Sequence, residues 1–325
     1  MIFSLHREDF ASLQAEWLDI LPTSSANTIF ATPDWQTIWW EHFAGERELH
    51  LLSLRHERKL AGILPLARLG DTMYLIGDVD VCDYMDLVLP PEHESAALAH
   101  LLDYLDRSDV RHLELRSVPS ASPTLRYLPS LAAERGYQVN LEVEESCPQV
   151  ALPPTWEGYL ASLNKKDRHE LRRKMRRAEE SGPLRHYPVN GGENIPRDME
   201  QFFHLQTISH QGKESFMTRQ RRDFFLALAG QFIPRGMLRL YFLEADGTRT
   251  AGTLCFDYGN RFMLYNSGYD PAFAAHSMSL VLKALCLRDA IELGRQSFDF
   301  LRGREPYKYH LGGVDHAVCR LSIRR

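Results

Sequence analysis

Two octapeptides far apart in this chain, Lys59-Leu60-Ala61-Gly62-Ile63-Leu64-Pro65-Leu66 and Arg249-Thr250-Ala251-Gly252-Thr253-Leu254-Cys255-Phe256, share an Ala-Gly-x-Leu core. Each opens an apolar strand behind a turn-prone polar stretch, and the elements that follow come in the same order. After the first, the pattern predicts strands at Met73 to Gly77 and Tyr84 to Leu89, a helix from about Glu92 to Arg107, and a strand at His112 to Arg116. After the second it predicts a strand at Arg261 to Tyr269, a helix from about Ser277 to Leu293, and a strand at Ser297 to Leu301. His112 lies 51 positions beyond Ala61, and Ser297 lies 46 beyond Ala251. Similar order at similar spacing points to one α/β unit written twice.

A length of 325 residues agrees with two cores. Pro148, Pro153 and Pro154 punctuate the chain before a helical pattern that starts at Trp156. A boundary is therefore expected there, giving domains 1–150 and 151–325. The second half also predicts a strand at Leu184 to Val189, helices at about Arg197 to His210 and Arg219 to Phe232, and strands from Met237. Strands mixed with helices place the chain in the α/β class, with a mixed α+β sheet in each half.

The net charge of −5 gives no global attraction to nucleic acid or membrane, so any anion binding must be local. Five scattered cysteines, none in C-x-x-C spacing, speak against a disulfide framework and a zinc site and suggest a reducing cytoplasm. No H-E-x-x-H or His/Cys quartet occurs, so no metal is expected. His6, Arg7, Glu8 and Asp9 stand where a signal peptide needs an apolar core, and no apolar run reaches membrane-spanning length.

The run Phe298-Asp299-Phe300-Leu301-Arg302-Gly303-Arg304-Glu305-Pro306-Tyr307-Lys308-Tyr309 puts an acid into an apolar strand and follows it with a glycine-broken polar loop. Alternation sends Asp299 to the face opposite Phe298 and Phe300, beside Arg302 and Lys308. Desolvation by the phenylalanines favours Asp299 as a proton acceptor, whereas the two cations favour its charged form. It is thus either the general base, an orienting group with His276, Glu305 or Tyr309 taking the proton, or an acid neutralised for stability.

Upstream, Ser277, Met278 and Ser279 open an apolar helix. Their backbone N–H groups can seat an anion, and Ser277 can equally be an ordinary N-cap. The preceding strand ends in Asn266-Ser267-Gly268-Tyr269, where neutral hydrogen-bonding groups replace apolar ones and Gly268 permits irregularity. From Leu160 to Glu180 a helix carries Lys165, Lys166, Arg168, Arg172, Arg173, Lys174, Arg176 and Arg177 over a buried stripe. That face is either a solvated one or a dock for phosphates. His210 to Phe216, with Lys213, breaks between two helical patterns, as a glycine turn linking helices would, and Trp35, Trp39 and Trp40 lie at helical spacing that marks core.

F-D-F-x-x-G followed by E-x-Y-K resembles the closing motif of the CelD-like acetyltransferases, a branch of the GNAT superfamily related to the FemAB aminoacyltransferases. Leu163 to Lys174 resembles that family's basic helix, and Thr32 to Trp40 its N-terminal aromatic helix. The resemblance implies two tandem GNAT-like acyltransferase domains and direct attack of an amine or hydroxyl on the thioester of acetyl-CoA or another acyl-CoA. It implies that the coenzyme pyrophosphate rests on Ser277, Met278 and Ser279, although the family's glycine-rich loop is missing here. It places Asp299 at the reaction centre, with Asn266, Tyr269, Arg302, Lys308 and Lys213 toward a saccharide or other small acceptor. A FemAB-like transferase using aminoacyl-tRNA and a non-catalytic binding module on the same fold are the alternatives.

Overall fold

The computed structural model describes residues 3–180, 182–189, 191–192, 194–209 and 216–325. Lys213 and most of the loop from 210 to 216 lie outside them. The chain forms two compact units, one of residues 1–146 with 316–325 and the other of residues 147–315.

The N-terminal unit holds strands β1 (Phe3–Arg7), β2 (Glu48–His56), β3 (Lys59–Leu69), β4 (Thr72–Leu75), β5 (His112–Pro119), β6 (Gln138–Ser146) and β13 (Ala317–Arg324) in the order β1-β2-β3-β4-β5-β13-β6. Its helices are α1 (Phe10–Ile20), α2 (Pro33–Phe43), α3 (Glu94–Asp106) and α4 (Pro123–Glu134). Thr32 caps α2 and Pro33 supplies its first turn, so Trp35 and Trp39 project inward and are buried.

The C-terminal unit holds β7 (Gln149–Ala151), β8 (Leu184–Pro188), β9 (Leu238–Ala245), β10 (Thr248–Tyr258), β11 (Arg261–Tyr269) and β12 (Ser297–Asp299) in the order β7-β12-β11-β10-β9-β8. Helices α5 (Trp156–Ser162), α6 (Lys165–Glu179), α7 (Ile195–Ile208), α8 (Arg219–Phe232), α9 (Met278–Glu292) and α10 (Pro306–His310) accompany it. Asp246-Gly247 and Gly259-Asn260, all at positive φ, make the two-residue turns that join β9 to β10 and β10 to β11.

The repeat is real at the level of topology. In each unit a three-stranded antiparallel meander leads through a helix to a strand parallel to its last member: β2-β3-β4-α3-β5 in one, β9-β10-β11-α9-β12 in the other. Ala61-Gly62 and Ala251-Gly252 occupy matching strands, β3 and β10.

Two expectations are corrected. Tyr84 to Leu89 forms only an isolated bridge, between Val88 and Ile63. The last ten residues, expected in the C-terminal domain, belong to the first sheet, where β13 inserts between β5 and β6 and buries Val318, Leu321 and Ile323. In return β7, which follows β6 in the chain, pairs with β12 of the second sheet.

Asp86 lies inside the N-terminal unit and accepts hydrogen bonds from Ser122, Thr124 and the Leu87 N–H. Burial outweighs those bonds and pushes its carboxyl up to about 6. Folding therefore holds a proton that the unfolded chain sheds near pH 4. The contribution is whole below that value and is lost as pH rises through about 6. Urea unfolding of the wild type and Asp86→Asn across pH 4 to 7 should show the wild type losing roughly 3 kcal/mol relative to the variant.

Candidate active site

β11 pairs with β12 only from Arg261 to Met263, opposite Ser297 to Asp299. Beyond that point β12 ends while β11 runs on to Tyr269, so the two parallel strands part. On its other side β11 pairs Leu264 with Cys255 and Asn266 with Leu254, which leaves Tyr265 as a bulge where the parting begins. The irregularity thus falls at Tyr265 and not at Gly268. Gly268 instead admits α7: an added Cβ would stand 2.5 Å from the Gln206 Cα and the Leu205 carbonyl carbon.

Helix α9 begins beside the end of β11. Ser277 adopts a left-handed conformation, φ 56°, and makes no side-chain cap bond, which removes the N-cap reading. The N–H groups of Leu280 and Val281 both bond the Ser277 carbonyl. Those of Met278 and Ser279 precede any carbonyl the helix could offer, and remain available to an anion. The Met278 side chain is packed in the core, so only its backbone can serve.

These groups line a cavity of about 240 Å³ together with Tyr269, Lys174, Lys283 and Tyr307. Lys174 comes from α6 at the rim, 28% exposed, while Lys283 is 5% exposed at the floor. Burial pushes the Tyr307 phenol well up and keeps it protonated. Sequence reasoning did not select Lys283 or Tyr307. The signal was a single lysine inside the apolar run Leu280 to Leu287.

The terminal motif builds a loop. Asp299 is fully buried, accepts the Leu301 N–H at 2.8 Å and lies 3.8 Å from Arg261 Nη1. Lys308, expected beside Asp299, donates instead to the carbonyls of Leu301, Arg302 and Gly303 at 3.0, 2.6 and 3.1 Å, and pairs with Glu305 at 3.0 Å. It is 2% exposed. The two residues grip one loop from opposite ends and hold Leu301 at φ 58° and Gly303 at φ 109°. Arg302 lies half-buried within that loop. Asn266 turns its Oδ1 to the Ser267 N–H at 2.8 Å, a local bond within β11.

In α6, Leu171 and Ala178 face inward while Lys165, Lys166, His169, Arg172, Arg173, Arg176 and Arg177 are exposed. Arg172 pairs with Glu157 and Arg173 with Glu170. The basic run is thus one outward face, and Lys174 is the member that turns into the cavity.

The N-terminal unit has no such gap. Where β4 ends, Met85 to Val88 take over its row: the Met85 N–H bonds Ser117 of β5, and Val88 exchanges two 2.9 Å bonds with Ile63 of β3. Gly77, at φ 133°, leaves room for Met85 and Cys82. The chain's own segment fills the place that β11 leaves open in the other unit.

Among the described residues no group of three His, Cys, Asp or Glu could hold a metal ion, and no helix is long and apolar enough to cross a membrane.

A family model described as an acetyltransferase (GNAT) domain matches residues 165–309, from the start of α6 into α10. Among curated proteins no relative matches. Solved structures similar over the whole chain include FemX, 10% identical with a TM-score of 0.69 over 98% of this chain and 96% of that one. They also include L-PGS from Bacillus licheniformis, 12% identical at 0.60 over 98% and 93%. A tandem GNAT protein from the clavulanic acid biosynthesis pathway is 13% identical at 0.52 over 98% of each chain. Parted parallel strands, a bulge at the parting and a helix N-terminus beside it lie within residues 165–309, the segment that matches the acetyltransferase (GNAT) domain model, in a chain whose fold is similar to that of the tandem GNAT protein.

Proposed function

We propose that the C-terminal unit transfers an acyl group, acetyl from acetyl-CoA or another acyl from its CoA thioester, to an amine or hydroxyl of a saccharide or other small acceptor in the cytoplasm. The observation that carries this reading is the open edge of β11 beyond Met263, with its bulge at Tyr265, next to the free N–H groups of Met278 and Ser279. The donor's diphosphate would take those N–H groups and Lys174, leaving its nucleotide outside a cavity of this size. Tyr269 and Asn266 flank the path of the acyl arm. Asp299, being enclosed, acts by fixing the loop that carries Tyr307, and Arg302 presents that loop to the acceptor.

The outward face of α6 supports a second reading, an aminoacyl-tRNA donor, because exposed cations at Lys165, Lys166, Arg172, Arg173, Arg176 and Arg177 suit a chain of phosphates. Thermal shift with acetyl-CoA, longer acyl-CoAs and total tRNA, followed by calorimetry, separates the readings. We expect acetyl-CoA to raise the midpoint and to bind at one molecule per chain, since the N-terminal unit fills its own gap. A salt-steep tRNA complex lost on reversing Arg172, Arg173 and Arg176 would replace the CoA donor. No stabilisation by any of these would leave a binding module.

A further inference from the structure

Lys283 is the least expected group in the C-terminal unit. A lysine ammonium is costly to desolvate, and this one sits 5% exposed inside an apolar helix. Its Nζ donates to Ser279 Oγ at 2.6 Å and lies 3.4 Å from the Ser279 carbonyl and 4.9 Å from the centroid of the Tyr307 ring. These contacts fix the head of a side chain that has four rotatable bonds. They also leave it lining the cavity that the donor is expected to enter.

Its depth separates it from Lys174. Lys174 stands at the rim, within reach of solvent and 3.6 Å from Glu170, where a diphosphate would arrive. Lys283 lies deeper, 5% exposed, in the same lining as Tyr269 of β11 and Tyr307 of α10. The ammonium therefore lines the cavity beyond the diphosphate seat, with Tyr269 from the part of β11 that runs past the end of β12, where the proposed donor would bring its thioester.

We propose that Lys283 is a catalytic residue that stabilises the oxyanion of the tetrahedral intermediate, and that Ser279 Oγ is its positioning residue. This rests on the acyltransferase reading above. In the step, the acceptor nitrogen or oxygen bonds to the carbonyl carbon, and the C=O electron pair moves onto oxygen beside the ammonium. The pair then returns, the C–S bond breaks, and the departing thiolate ends as a thiol with the proton the acceptor gives up. Lys283 keeps its own protons throughout. A fixed cation helps such a charge more than it helps the neutral ground state.

The test uses the full chain with acetyl-CoA as donor and hydroxylamine as a small acceptor, following coenzyme release at saturating donor and donor affinity by calorimetry. Lys283→Met keeps the volume and removes the charge. It should bind acetyl-CoA within about threefold of wild type while the saturated rate falls by roughly 10²- to 10³-fold. Ser279→Ala, which should fold in any case, should lower that rate about tenfold at unchanged affinity. Weaker binding with the rate retained would make Lys283 a mere anion contact and overturn the proposal, as would an unchanged rate in either folded variant. Wild-type binding without any acceleration of coenzyme release would also overturn it and leave donor binding intact. Absence of acyl-CoA binding by the wild type would instead overturn the acyltransferase reading itself.

Discussion

Gly268→Ala is expected to destabilise the C-terminal unit by roughly 3 kcal/mol or more, because the new methyl group has only helix backbone to displace. Its nearest neighbours would be the Gln206 N and Cα and the Leu205 carbonyl carbon, none of which can rotate away. Helix α7 would have to lift off β11, loosening Phe202, Phe203 and Leu205 from the core. Gly230, in α8, provides the control. Nothing lies within 4 Å of its added Cβ, so Gly230→Ala should stabilise by up to about 1 kcal/mol through helix propensity alone. Urea unfolding of the two variants, monitored by circular dichroism, should give opposite signs. A neutral Gly268→Ala would show that α7 does not pack on the strand as described.

Lys308→Met should cost roughly 3 to 5 kcal/mol and should also weaken acyl-donor binding. The ammonium satisfies three carbonyls of the 301–303 turn and Glu305, and methionine replaces none of those bonds. Leu301 at positive φ then loses a restraint on an unfavourable backbone conformation. Because Tyr307 sits at the preceding position and lines the cavity, the loosened loop should carry the site with it. Hydrogen exchange should rise at residues 300–305, and the melting midpoint should fall. Normal stability with only weaker acceptor affinity would instead make Lys308 the substrate contact its motif suggests.

The repeat was legible because strand and helix periods are local properties, and the Ala-Gly-x-Leu core marks matching strands. The opening of α9 was legible as well. The place of the bulge was not, because it depends on the register between β10 and β11, and Tyr265 carries no local mark of it. Asp299 was read as facing a polar side. In the structure β12 is covered on both faces, so alternation no longer separates inside from outside. Tyr84 to Leu89 reads as a strand because it occupies a strand's place in the sheet with only one residue bridged to β3. Lys283 was hidden by its company, since one cation in an apolar helix is read as an interruption. Which sheet β13 would join was beyond any local pattern, as its apolar face fits either.

The insertion of β13 between β5 and β6 has a bearing on how this protein is made. A ribosome finishes β6 at Ser146 but does not reach Ala317, where β13 begins, until 170 further residues have been added. At about 5 to 20 residues per second, that interval lasts from roughly 10 to 30 seconds. Throughout it the first sheet lacks the strand that separates β5 from β6, and their facing edges hold unpaired N–H and C=O groups. The nascent N-terminal half is therefore a client for chaperones until the last strand arrives. Synonymous changes that slow translation between residues 147 and 316 should lower the soluble yield, even though the finished protein is identical.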